Sequence, residues 1–110
     1  MNPSLLPPDD LPSWKSTNLE LYWEFNEAIG SLFYNACDET IRQLLSKCGW
    51  NITSDYQGLT LVLICPKNSL TWQVLKSLEI LSEQLQQLGK RSKIRIYPPP
   101  TAGSPMEVLL

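Results

Sequence analysis

GLTLVLICPKNSLTWQVLKSLEILSEQLQQLGKRSKIRIY, residues 58–97, is the stretch whose reading decides the fold. After Gly58, residues 59–65 are apolar at every position but Thr60. A short run of that kind reads as a strand covered on both faces. Pro66 has no amide hydrogen to give a ladder and ends it. Asn68 or Ser69 then caps a helix, whose stripe of Leu70, Val74, Leu75, Leu78, Leu81, Leu85 and Leu88 keeps helical spacing. Trp72 and Ile80 lie off that stripe. Gly89 terminates the helix, and residues 90–92 form a short basic loop. The closing segment 93–97 alternates Lys93, Arg95 and Tyr97 with Ile94 and Ile96, the period of a half-buried strand. The unit is strand, helix, strand, with a right-handed crossover if the two strands run parallel.

Working back from Gly58, residues 55–58 carry turn chemistry, and Trp50, Ile52 and Ser54 alternate before them. The spacing predicts a hairpin in which a short strand pairs antiparallel with residues 59–65. Gly49 supplies a left-handed stop to the helix upstream of it. Further back, Tyr22, Phe25, Ala28 or Ile29, Leu32 or Phe33, Ala36 or Cys37, Ile41, Leu44 or Leu45 and Cys48 keep helical phase. Gly30 and Ser31 interrupt the middle of that run. Two helices, roughly 18–29 and 32–48, are favoured over one long one, with Ser31 capping the second. Thr17 and Glu20 have the spacing of a capping box for the first. The expected architecture is therefore α+β, in the order α-α-β-β-α-β, with a three-stranded sheet packed against helices.

At 110 residues, 43% of them hydrophobic and 18% charged, the chain suits one globular domain. Residues 17–97 are read as that domain. Residues 1–16, with Pro3, Pro7, Pro8 and Pro12, are read as a proline-rich arm, and residues 98–110, opening on three prolines, as a tail. The start lacks a basic, continuously apolar leader, and no run is long enough to span a bilayer, so cytoplasmic residence is expected, without a membrane partner. Cys37, Cys48 and Cys65 show no paired spacing and histidine is absent, so reduced thiols packed as small hydrophobes are expected, and no metal or other cofactor. Net charge is −2 but uneven. Residues 1–57 hold eight acids against three bases, and residues 58–110 hold six bases against three acids.

Catalytic chemistry finds little support. Without histidine the commonest general base is missing, and neither a G-x-G-x-x-G nor a G-x-x-x-x-G-K loop is present. Two features point instead to binding. Trp23 and Trp72 fall off the core stripes of their helices, as does Ile80, and tryptophan is a common anchor of protein interfaces. Lys90, Arg91, Lys93 and Arg95, with Tyr97, would set cations and a ring along one strand, as a single-stranded nucleic acid requires. The plain alternative is that these cations line the solvent side of an edge strand.

Residues 58–89 followed by SKIRIY resemble domain I of the bacterial replication initiator DnaA, a small KH-like domain. The shared features are a Gly-Leu-x-Leu strand, a proline-bearing turn, a helix with an early tryptophan and a short basic-apolar strand. The helicase-loader family DciA is similar in the same places. The resemblance implies a non-catalytic adaptor or recruitment module in DNA replication or other nucleic-acid metabolism, holding a protein partner on its helical surface. A small single-stranded nucleic-acid-binding protein, using the Lys90–Tyr97 edge, is the alternative. Whether the chain forms a homodimer stays open.

Overall fold

The computed structural model describes residues 13–110, with side chains from Leu19 onward. The proline-rich arm lies outside the described residues up to position 12. Eight elements follow in order: α1 (Ser13–Ala36), α2 (Glu39–Lys47), β1 (Gly49–Asp55), β2 (Gly58–Ile64), α3 (Asn68–Lys76), α4 (Leu78–Leu88), β3 (Ser92–Tyr97) and β4 (Met106–Leu109). They make an α+β fold around one mixed sheet of order β1-β2-β3-β4. β1 pairs antiparallel with β2, β2 runs parallel to β3, and β3 is antiparallel to β4.

The sheet has four strands, not three. The fourth comes from the end of the chain, where Met106 and Val108 alternate with Glu107 and Leu109 and face Ile96 and Ile94 across the ladder. A turn closed by the Ala102 amide donating to the Pro99 carbonyl (2.9 Å) reverses the chain after the prolines. β3 is therefore an interior strand.

Register explains the core. Ile52, Leu61, Ile94 and Val108 stand in one row across the sheet, and Trp50, Leu63, Ile96 and Met106 in the next. Both rows point to the helices, where Phe33, Ile41, Leu45, Val74, Leu81 and Leu85 are fully buried. The opposite face carries Thr53, Thr60, Lys93 and Leu109 in one row, then Asn51, Val62, Arg95 and Glu107. No described helix covers it, and Ile64 on the same face is half exposed. β2 is thus apolar on a face that the sequence suggested would be covered.

The helices differ from expectation in five places. α1 runs unbroken through Gly30 and Ser31 to Ala36, since glycine without a partner residue to break the phase lowers helix stability but does not stop it. The break comes at Asp38, whose carboxylate accepts the Ile41 amide at 2.9 Å as the N-cap of α2. Arg42 then closes the corner, donating to the Tyr34 and Asn35 carbonyls at 3.0 and 2.8 Å. Both belong to the last turn of α1, where carbonyls run short of intrahelical partners; the Tyr34 carbonyl also accepts the Cys37 amide at 3.2 Å. α1 begins by Ser13, so Thr17 and Glu20 lie inside the helix and not at its cap.

The helix of residues 68–88 is two helices, divided at Ser77. The Ser77 backbone (φ −99°, ψ 7°) leaves the α region while its amide still bonds the Gln73 and Val74 carbonyls. Leu70 and Val74 are buried before the division, Leu81 and Leu85 after it, and Leu78 beside it is half-buried. α3 starts behind Lys67 without a side-chain cap, so neither Asn68 nor Ser69 plays that part. Gly49 is the first residue of β1 and does not have a positive φ; among the described glycines only Gly58 and Gly103 do.

Candidate partner-binding surface

α1 has 24 residues, about 36 Å at 1.5 Å each. Its C-terminal part packs against the sheet and α4, and Phe33 there is fully buried. Toward the N-terminus Leu19, Leu21, Trp23 and Phe25 are exposed. The helix lies along β1, which is an edge of the sheet. Between them runs a groove of about 730 Å³, walled by Tyr22, Trp23, Glu27, Ser31 and Tyr34 on α1 and by Trp50, Ile52 and Thr53 on β1.

Aromatic packing fixes the wall. Tyr34 stacks on Trp50 with ring centroids 6.0 Å apart and planes within 10°, and Phe33 meets the same indole at 5.9 Å. Arg42 covers Tyr34 at 5.5 Å from the ring centre, a cation–π contact that holds the stack in place. Gly30 stands opposite the Trp50 ring, where a Cβ would lie 3.9 Å from it. At the other end the Tyr22 hydroxyl donates to the Ser54 carbonyl (2.8 Å), and the Ser54 hydroxyl meets Asn26 Oδ1 at 2.7 Å.

The backbone of β1 can be assigned strand side by strand side. Leu59 and Cys65 donate their amides to the β3 side, at the carbonyls of Arg91, the residue before β3, and Tyr97, its last residue. Alternation then directs Leu61 and Leu63 the same way and turns Gly58, Thr60, Val62 and Ile64 toward β1. Their partners are Asp55, Thr53, Asn51 and Gly49. Trp50, Ile52 and Ser54 therefore point their amides and carbonyls outward, along the groove. The bond from Tyr22 to the Ser54 carbonyl is the direct mark of that orientation.

Of the residues singled out in the sequence, Trp23 lies in this groove and is 66% exposed. Trp72 on α3 and Ile80 on α4 are 61% and 44% exposed, but neither lines it. Tyr34 and Trp50 are the functional candidates that sequence reasoning missed. Their signal was the alternation of Trp50 with buried Ile52, readable only once α1 is known to continue past Gly30.

The basic residues are placed on the other side. Lys93, Arg95 and Tyr97 share the open face of the sheet, while Lys90 and Arg91 sit in the loop before β3. Lys90, Arg91 and Lys93 line a second hollow of about 300 Å³ with Asp55, Thr60 and Leu110. Glu107 of β4 bonds Arg95 at 2.8 Å and approaches Lys93 to 3.7 Å. That bond pushes the already high Arg95 pKa up further. The expected edge is thus the middle of a sheet, and one carboxylate offsets two of its cations.

Cys48 and Cys65 continue the β1–β2 register past the pair Gly49 and Ile64, which sets the two thiols side by side. Burial, followed by the neighbouring Cys65 thiol, pushes the Cys48 pKa up to about 11. Burial also raises Cys37, helped by Asp38. Among the described residues no group of three or more Cys, Asp or Glu is placed to hold a metal ion. No described helix is long and apolar enough to cross a membrane.

Comparison with protein-family models, with curated proteins and with solved structures finds no match for this chain.

Proposed function

We propose that the chain is a non-catalytic recruitment module that holds a protein partner in the groove between α1 and β1. The observation that carries this reading is the exposed indole of Trp23 in the same groove as the Tyr34–Trp50 stack, along a strand edge that no described strand pairs with. Large aromatic rings bound to a rigid wall supply contact area at little entropic cost, and such anchors dominate interface energies. The resemblance of roughly residues 19–97 to domain I of DnaA, and to DciA, supports a role in DNA replication or other nucleic-acid metabolism, in the cytoplasm. Trp72 and Ile80 form part of a second contact in this reading, apart from the groove.

Capture of binding proteins from nuclease-treated native lysate, quantified by mass spectrometry, tests it. Trp23→Ala should weaken capture about 30-fold, the equivalent of about 2 kcal/mol. Replacing Lys90, Arg91, Lys93 and Arg95 by alanine should leave capture within about twofold. Retention by Trp23→Ala and loss by the quadruple variant would reverse the assignment.

The second reading, single-stranded nucleic acid on the open sheet face, draws on the alignment of Lys93, Arg95 and Tyr97 there. It requires binding that falls steeply with salt as counterions are released. Glu107, hydrogen-bonded to Arg95 and ion-paired with Lys93, opposes it.

A further inference from the structure

We infer that the groove takes an extended peptide segment of basic and apolar residues, which adds to β1 as a fifth strand. The inference rests on the reading of the groove as the partner site and names what fills it.

The backbone sets the mode. Trp50 and Ile52 each turn an amide and a carbonyl outward, and Ser54 turns out an amide, its carbonyl being held by Tyr22. A row of outward groups along a seven-residue edge is a template for strand addition, in which main-chain hydrogen bonds supply affinity and side-chain pockets supply specificity. α1 overhangs that edge as the second wall. Alternate side chains of an added strand would face α1, where Trp23 and Tyr34 offer rings and Glu27 a carboxylate.

Charge selects the occupant. Every charged side chain described on α1 is acidic: Glu20, Glu24 and Glu27. Among the described residues no base lines the groove. A lysine or arginine on the α1-facing side of the peptide would meet Glu27 and stack on the adjoining rings. Two other occupants fit less well. Residues 1–12 carry Asp9 and Asp10, no base, and four prolines, which cannot donate to a ladder. A second copy paired edge to edge would bring two acidic α1 helices toward each other.

The test selects a random twelve-residue peptide library, displayed on phage, against the full chain and synthesises the enriched sequences. The inference expects peptides carrying lysine or arginine, with amide shifts at Trp50, Ile52 and Ser54 on binding. Glu27→Lys should weaken them at least tenfold. N-methylation of the peptide should abolish binding at alternate positions and be tolerated at those between, because only every second amide faces β1. Peptides that need Trp23 yet tolerate N-methylation throughout would overturn strand addition and leave the groove as the partner site. Acidic peptides there would overturn the charge assignment. Enriched peptides indifferent to Trp23→Ala, or no enrichment at all, would overturn both readings. A dimer in solution that Trp23→Ala or Glu27→Lys alters, with shifts at the β1 amides, would give the edge to a second copy and overturn the peptide.

Discussion

Gly30→Ala should stabilise the protein. Gly30 sits in the interior of α1, where alanine is favoured over glycine by about 1 kcal/mol. The added Cβ would stand 3.9 Å from Cη2 and Cζ3 of Trp50, ordinary contact distance, so nothing has to move. The position is half-buried, and part of a methyl group's burial, about 0.8 kcal/mol when complete, adds to the gain. Together the two effects come to about 1–1.5 kcal/mol. In a domain of this size that is a rise in Tm of about 4–10 °C. Guanidinium denaturation followed by circular dichroism should show a higher midpoint with an unchanged slope. A loss of stability would refute the reasoning, because it would mean that the chain bends at Gly30 and that Tyr34 and Trp50 are not held together by a continuous helix.

Gly58→Ala should have the opposite effect, since a Cβ there would lie 2.0 Å from the Arg91 carbonyl oxygen at a φ of +127°; a thermal melt should show a loss above about 2 kcal/mol. Leu81→Ala should cost about 2–4 kcal/mol and Leu78→Ala clearly less, because the first is fully buried and the second half-buried, and the same denaturation assay ranks them. Truncation after Tyr97 removes β4 from the Ile94 and Ile96 ladder, so the fragment 17–97 should melt well below the full chain. Cys48 should resist alkylation at pH 8, its rate rising about tenfold per pH unit toward pH 11. The sign follows from the raised value: the folded protein keeps this proton better than the unfolded chain, so the Cys48 contribution to stability is complete below pH 9.0 and is lost as pH approaches 11.

The elements that could be read from the chain were those whose signals are local. The apolar run of β2, the turn before it and the alternation of β3 led to the hairpin and the parallel pair, and the leucine stripe led to the helix face on the sheet. Ser77 was invisible, because the stripe keeps its phase across it and serine neither caps nor breaks strongly there. Gly30 misled for the converse reason: a poor helix former by type, it lowers helix stability without ending α1. β4 is four residues long and follows a proline-rich turn, so only its pairing with β3 identifies it. That omission also turned an interior strand into an expected edge and hid Glu107 as the counter-charge of Lys93 and Arg95. Trp23 could be singled out by its place off the stripe. Its neighbours in the groove come from 11 and 27 residues further along the chain, at Tyr34 and Trp50, and are joined to it only by the fold.

Site-specific photocrosslinking in cells tests the central claim most directly. A benzophenone side chain placed at Ser31, an exposed position in the groove wall, should trap a protein adduct that survives nuclease and disappears when Trp23→Ala is added. The same group at Arg95, on the open sheet face, should trap little. Adducts formed from Arg95 and lost on nuclease treatment, with none from Ser31, would contradict the account.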